Sequence, residues 1–432
     1  MIYLTEKHIL IFLLQIFILL TSARIIGEAF RRRGFPPVVG EILVGILLGP
    51  TILGRFSPHI YSFIFPPDRI QQDMLETVSW LGIFFLLLAT GFEVEISTVK
   101  RQVSPALKIG VVGVLVPLLL GILAFWWLPD YYLGEKATRM VFVLFLATSA
   151  SISAISIMAR LLYDLKILKT DLGLSIISAY TVNDILGWLI FTLVLGFAVK
   201  MRVEIHRVIG SILGVILFGG FSLTWGRKLV SRLALFIKEK ELPHPATMLA
   251  FITVLGLFCG LVTQWMGIHA ILGFFLAGVM VGSTPEITER TREIISQMIM
   301  AVFVPIFFAT IGLKVDFLKN LDLFLIGVFT IIALGGKFIG ALIGACWSKF
   351  SSFDSLSVGM AFLPGGAMEV VLGIVALEYQ IITPSVFVAI VFSALFSSLL
   401  VGPALSWSLQ RRKWIDISRL SLIHISEPTR PY

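Results

Sequence analysis

The chain has 432 residues, of which 57% are hydrophobic and only 14% are charged, and its formal net charge is +8. Soluble globular domains are about 45–50% apolar and about 25% charged, so this composition excludes a water-soluble protein and indicates one that lies in a lipid bilayer. The basic residues form short clusters between apolar runs rather than one solvent face, which excludes a nucleic-acid partner.

Apolar runs of about 17 to 25 residues predict thirteen membrane-spanning helices. The first run ends without a small-residue cleavage site, so we expect a retained helix and not a signal peptide. The predicted fold class is an all-α polytopic membrane protein with spans near 8–29, 38–56, 76–93, 105–128, 138–161, 171–199, 208–228, 246–266, 268–284, 297–313, 322–348, 355–378 and 384–408.

Basic clusters follow alternate spans, and the positive-inside rule then predicts an external N-terminus and a cytoplasmic C-terminus in a bacterial inner membrane. One loop, with Lys200, Arg202 and Arg207, violates this pattern. The clusters that agree are Arg31, Arg32 and Arg33; Lys100 and Arg101; Arg160, Lys166 and Lys169; Arg227 to Lys240; and Arg411, Arg412 and Lys413.

Cys259 and Cys346 lie far apart within apolar runs, which predicts packing residues and neither a disulfide nor a metal site. We expect no cofactor. The segment 421–432, SLIHISEPTRPY, is unlike the preceding sequence and resembles translated vector sequence, so it carries no functional argument.

Two successive spans repeat later in the chain. VVGEILVGILLG, with Gly40, Gly45 and Gly49, has the glycine spacing of ILGFFLAGVMVG, and the endings ATGFEVE and ATIGLKVD of the next spans also match. Either glycine triplet alone would indicate only close helix packing. Because the copies lie seven spans apart, together they predict an inverted repeat of spans 1–6 and 8–13, with a ligand site near the midplane.

Under this repeat span 5 corresponds to span 12, and both contain helix-disfavouring sequence near their middle. Span 12 has Pro364, Gly365 and Gly366, whereas the ATSASISAIS run of span 5 has Ser151. A proline kink and a hydroxyl-rich packing helix would explain each alone. Their correspondence predicts two crossed broken helices, because irregular backbone at this depth needs a protein or water-filled surrounding.

Span 6 places Asn183 and Asp184 halfway across the bilayer, where a carboxylate is costly and points to function by default. Burial should favour its neutral form, so that protons and a cation compete for the same oxygens. Thr148 and Ser149 of span 5 are further candidate cation ligands. Asn183 could coordinate the ion or orient a neighbour, and Asp184 could instead be a structural carboxyl.

Span 11 carries Lys337 between glycines at a depth from which it cannot reach water. It needs a carboxylate or backbone carbonyls, and Glu369 after the break in span 12 is its candidate partner. These two charges could also serve only to balance the dipoles of the broken helices. Glu41 and Glu93 near the cytoplasmic ends could flank the access path or be structural.

PPVVGEILVGILLGPTILG, LGIFFLLLATGFEVE, NDILGW and GGKFIG, in this order, resemble the bacterial monovalent cation:proton antiporter-2 family over residues 8 to 410. The resemblance implies the sodium/proton antiporter fold and a homodimer that works as an elevator. Its domains would be 1–104 for dimerisation, 105–200 for the core, 201–241 as linker, 242–321 for dimerisation and 322–410 for the core.

The chain departs from the electrogenic sodium/proton members, which carry two adjacent aspartates where this sequence has Asn183 and Asp184. The potassium efflux members of the family that this sequence resembles carry a glutamine followed by an aspartate at this point. A single carboxylate favours electroneutral exchange of one cation, sodium in the leading interpretation, for one proton, with potassium/proton exchange as the alternative. A gated cation channel would need a row of weak sites, and an intramembrane enzyme would need a second catalytic group beside Asp184.

Overall fold

The computed structural model describes residues 4–94, 102–168, 170–199, 205–240 and 245–425. Several residues used above, Glu95, Lys100, Arg101, Lys169, Lys200, Arg202 and 426–432, lie outside this part of the chain. The helices are α1 (Glu6–Arg32), α2 (Pro37–Leu48), α3 (Leu53–Phe56), α4 (Pro58–Ile64), α5 (Arg69–Phe92), α6 (Val103–Phe125), α7 (Arg139–Ser151), α8 (Ile155–Asp164), α9 (Asp171–Val199), α10 (Ile205–Phe221), α11 (Arg227–Glu239), α12 (Ala246–Trp265), α13 (Ala270–Gly282), α14 (Glu289–Met298), α15 (Val304–Lys314), α16 (Leu323–Trp347), α17 (Ser352–Ala361), α18 (Gly366–Glu378) and α19 (Pro384–Ile425). Five-residue π-helical segments, Ser222–Gly226 and Ile299–Phe303, join α10 to α11 and α14 to α15.

Within the described residues, nine helices are long and apolar enough to cross a membrane, or ten if the bent pair α17 and α18 is one span. The chain is therefore a multi-pass membrane protein, but this criterion does not confirm the predicted count of thirteen. Two predicted spans fall on the shorter apolar helices α7 and α13. The first of these is short because its span is broken after Ser151.

The helices pack in two groups. In the first group, α1, α2, α5, α12, α13 and α15 contact one another, whereas in the second α6 to α9 pack with α16 to α19. The largest contact in the second group is between α6 and α16, so the two halves of the sequence interleave. Both groups therefore draw helices from each predicted repeat.

The repeated glycines make equivalent contacts in the two halves. A Cβ on Gly45 of α2 would lie 2.9 Å from the Cα atom of Gly312 in α15. A Cβ on Gly278 of α13 would lie 2.8 Å from the Cα atom of Gly91 in α5. Each half thus packs its glycine triplet against the neighbouring span of the other half, as an inverted repeat requires.

Side-chain contacts define the two ends of the molecule. The Nε2 atom of His8 lies 3.0 Å from Asp68 Oδ2, so α1 and α5 begin at the same end and run parallel. At this end the ammonium of Lys314 pairs with Glu378 and lies 3.5 Å from Glu76. The opposite end holds the end of α1, with its last-turn arginines Arg31 and Arg32, and is called the basic end below.

One packing prediction was wrong. Cys259 is buried in α12, but Cys346 is exposed near the end of α16. An apolar run in a membrane protein has a face that meets lipid instead of protein, so hydropathy alone does not separate the two.

Candidate ion-binding site at two crossed broken helices

Two helices are interrupted and cross at their interruptions. The first break lies between α7 and α8 at residues 152–154, and the second lies between α17 and α18 at residues 362–365. At the crossing the amide of Ala154 donates to the carbonyl of Pro364 at 2.9 Å, and the Ser153 hydroxyl donates to the carbonyl of Phe362 at 3.1 Å. The unwound segments thus satisfy part of each other's backbone, which allows them at this depth.

The glycines of the second break have separate roles. Gly366 has φ of +55°, a left-handed conformation that glycine adopts without a Cβ clash. Gly365 admits a charged pair, because a Cβ there would lie 2.5 Å from the Cδ atom of Glu369 and 3.0 Å from the Nζ atom of Lys337. The Gly365 amide also receives a cap, since it donates to Ser397 Oγ at 3.1 Å.

Four half-helices end at this crossing, and a different side chain meets each one. Lys337 donates to the carbonyl of Ile152 at 3.2 Å, next to the C-terminus of α7. Glu369 lies in the first turn of α18, where the helix dipole is positive. The Nζ atom of Lys337 is 3.7 Å from Glu369 Oε1, and both side chains are fully buried. This pair therefore places each charge at the helix end that favours it.

The other two ends are met from α9. The hydroxyl of Tyr180 donates to the carbonyl of Ala361, the last residue of α17, at 2.6 Å. The amide oxygen of Asn183 accepts from the Ser153 amide at 3.2 Å, just before α8 begins. Asn183 thus orients the first break through its oxygen. Its Nδ2 atom makes no hydrogen bond to a described residue.

Asp184 faces the same crossing. Successive residues of a helix are rotated by about 100°. On this basis Asp184 shares one face of α9, an arc of about 100°, with Tyr180, Asn183 and Gly187. Each of the three contacts a break; a Cβ on Gly187 would lie 2.7 Å from Ile152 Cγ1. Asp184 is fully buried, and neither carboxyl oxygen bonds to a described residue. An isolated buried carboxylate is unstable unless a proton or a cation compensates it.

The helix α7 packs against α9, which carries Asp184. No hydrogen bond joins the α7 hydroxyls to the Asp184 carboxyl in the described part of the chain. Thr148 Oγ1 donates to the carbonyl of Leu144 at 2.7 Å, and Ser151 Oγ donates to that of Thr148 at 2.8 Å. Ser149 is fully buried, and its hydroxyl has no partner among the described residues. The oxygens of Thr148 and Ser149 therefore retain lone pairs that a cation could use.

Two residues of the site were missed in the sequence, Tyr180 and Ser397, and each bonds a broken end. Glu93, which the sequence named only as a residue that could flank the access path or be structural, lies at the end of α5 and is close enough to Asp184 to interact with it electrostatically. Tyr180 lies one helical turn before Asp184, and this spacing was a usable signal. Ser397 carried no signal, since serines are common at helix contacts in membranes.

Comparison with known proteins agrees with this architecture. The transmembrane sodium/hydrogen exchanger family matches residues 16–411, and the chain belongs to this family. The antiporter family predicted from the motifs is thereby confirmed. The chain is a cation/proton antiporter, a secondary transporter and not an enzyme.

Two relatives illustrate the range of the family. The Na(+)/H(+) antiporter NhaS4 of Synechocystis is 28% identical over 403 residues, which cover 91% of this chain and 96% of that protein. The K(+)/H(+) antiporter 1 of Saccharomyces cerevisiae is 29% identical over 93% of this chain but only 46% of its own length. The chain thus spans about half the length of this yeast relative.

A solved structure agrees in fold. The sodium proton antiporter MjNhaP1 from Methanocaldococcus jannaschii superposes with a TM-score of 0.65 at 16% identity, covering 93% of this chain and 99% of that one. The predicted sodium/proton antiporter fold is thereby confirmed.

Proposed function

We propose that the chain exchanges one sodium ion for one proton at Asp184, by alternating access. The observation that carries this proposal is the buried Asp184 carboxyl, which faces two crossed helix breaks and has no hydrogen-bond partner among the described residues. A proton or a monovalent cation neutralises this group, and the bare carboxylate at this depth is costly. The group therefore moves across the membrane only when one of them is bound.

The charges around the crossing support a one-to-one exchange. Lys337 is engaged by Glu369 at 3.7 Å and by the carbonyl of Ile152 at 3.2 Å. Because these contacts already compensate the charge of Lys337, it does not have to pair with Asp184. The Lys337–Glu369 pair has no net charge. With Asn183 unable to titrate, only Asp184 changes its charge during the cycle. The same net charge then crosses in both directions.

The cation shell that we propose uses Asp184 with the oxygens of Thr148 and Ser149. Monovalent and divalent hard cations prefer oxygen ligands. Asn183 contributes by holding the break in place, because its amide oxygen is already occupied by the Ser153 amide. Potassium is the second candidate cargo, since the relative named K(+)/H(+) antiporter 1 matches as strongly in identity as the sodium antiporter does.

Alternating access would follow the two packing groups. We propose that α6 to α9 and α16 to α19 form the moving core, and that α1 to α5 and α12 to α15 form the dimerisation domain of a homodimer in the bilayer. The boundaries are those expected from the sequence, with linker 201–241. The proposed orientation has the N-terminus outside a bacterial inner membrane, which places the basic end at the cytoplasmic surface.

The test is proton flux in proteoliposomes that contain a pH-sensitive dye. Sodium, lithium and potassium are added in turn, with choline as the control cation that cannot enter the site. A proton flux driven by sodium or lithium but not by potassium supports sodium exchange. Flux driven only by potassium would show that potassium, and not sodium, is the transported cation. Cation flux that proceeds without proton movement would contradict antiport.

A further inference from the structure

The helix α11 follows the predicted span 208–228. The 17 residues of α10 and the five of the following π-helical segment extend about 33 Å at 1.5 Å per residue. This length crosses a hydrocarbon core of about 30 Å. Arg227 Nη2 donates to the carbonyl of Ser283 at 3.3 Å, directly after the end of α13. Since α13 ends beside the end of α5, α11 lies at the basic end, at the level of the bilayer surface.

Two faces of α11 are apolar, but only one of them is covered. Val230 and Ile237 are buried where α11 packs against α12 and α13. Leu229, Leu233 and Phe236 recur at helical spacing on a second face and are 52%, 41% and 53% exposed. Such an exposed apolar stripe on a surface helix would be unfavourable in water.

The third face is mainly cationic, although the exposed Leu235 lies among its basic residues. Residues 227–240 contain five basic side chains against a single carboxylate, Glu239. Lys228, Arg232 and Lys238 have no ion pair or hydrogen bond to another described residue. Lys240 lies over the ring of Phe236, with its Nζ atom 5.8 Å from the centroid, which is the geometry of a lysine that rises from an apolar face toward water.

We propose that α11 is a docking surface for anionic membrane lipid. The exposed leucine and phenylalanine stripe would meet the upper acyl chains, and Lys228, Arg232 and Lys238 would bind headgroup phosphates. An amphipathic helix with basic residues on its polar face lies in the interface in this way and favours anionic lipid. A symmetric contact between two copies of α11 is disfavoured, because it would bring two cationic faces together.

The proposal is tested by titrating the full chain in neutral detergent with phosphatidylglycerol or phosphatidylcholine and counting bound lipid by native mass spectrometry. The test variant is Lys228→Gln/Arg232→Gln/Lys238→Gln. Its matched control, Arg31→Gln/Arg32→Gln/Arg33→Gln, removes the same number of charges at the same end. We expect about a fivefold loss of phosphatidylglycerol affinity for each charge removed from α11, and a smaller loss in the control.

Three results would overturn the proposal. The first is equal phosphatidylglycerol affinity in the α11 variant and the native chain. The second is displacement of the lipid by inorganic phosphate at similar concentration, which would indicate a phosphate site. The third is loss of the dimer in the α11 variant with lipid binding unchanged. If the variant does not fold, the native chain decides the matter, since its preference for phosphatidylglycerol must vanish near 1 M salt, where the Debye length is about 3 Å.

Discussion

The close approach of Gly45 to α15 gives a prediction whose size follows from the structure. In Gly45→Ala the new methyl group would overlap the carbonyl oxygen of Ala309 and lie 2.9 Å from the Cα atom of Gly312, whereas nonbonded carbon atoms prefer about 3.5–4.0 Å. The carbon contact alone requires α2 and α15 to separate by about 0.6–1.1 Å, and the overlap with the Ala309 oxygen requires more. Overpacking costs about 1–3 kcal/mol, and we expect the upper end of this range because both surfaces are rigid backbone.

The inverted repeat gives a second prediction of the same kind at the equivalent glycine. Gly278→Ala should cost about the same, since its methyl group would overlap the carbonyl oxygen of Leu88 and lie 2.8 Å from the Cα atom of Gly91. The matched control is Gly327→Ala in α16, where a Cβ meets nothing within 4 Å and alanine should gain about 0.5–1 kcal/mol. The assay is thermal unfolding of the purified chain followed by size-exclusion fluorescence. Equal midpoints for all three variants would refute the assignment of these glycines as contacts between the repeats.

Three further predictions concern transport. Thr148→Ala/Ser149→Ala should raise the cation concentration needed for half-maximal flux more than it lowers the maximal rate, because it removes two proposed ligands; an unchanged half-maximal concentration would leave them as packing residues. An imposed membrane potential should leave native flux nearly unchanged, and a native flux that follows the potential would reveal a second transported charge. Asn183→Asp should make flux depend on voltage if Lys337, which bonds the same helix break, then titrates. Glu378→Gln breaks the ion pair with Lys314 that joins the two helix groups. It should raise the maximal rate, but by less than about fivefold, because exposed pairs typically contribute about 0–1 kcal/mol. Arg55→Gln, whose ion pair with Asp316 lies within one group, should leave the maximal rate unchanged.

The sequence predicted the parts of the site that periodicity and depth reveal. Glycine spacing predicted the repeat, and a carboxylate in the middle of an apolar run marked Asp184. Pro364 with two glycines located one break, because the helix cannot continue without the proline amide and Gly366 has a positive φ. Ser151 located the other break only through its correspondence with the first.

The remaining features depend on which atoms meet in three dimensions. Hydropathy could not tell whether Asn183 binds an ion or a backbone amide, and the structure places its oxygen on Ser153. It could not tell either whether Lys337 pairs with a carboxylate or with a backbone carbonyl. In the structure Lys337 contacts both Glu369 and the carbonyl of Ile152. The lipid-facing or protein-facing side of a helix is equally hidden, as exposed Cys346 illustrates.

The most direct test of the central claim compares sodium-driven proton flux in Asp184→Asn and Thr192→Val proteoliposomes. Thr192 is a buried polar residue two turns further along α9, with its hydroxyl bonded to the carbonyl of Trp188 at 2.7 Å, so its replacement perturbs the same helix without touching the crossing. Exchange through one carboxyl predicts that Asp184→Asn is folded but silent, while Thr192→Val retains most of the native flux. Sodium-dependent proton flux that persists in Asp184→Asn would contradict the account.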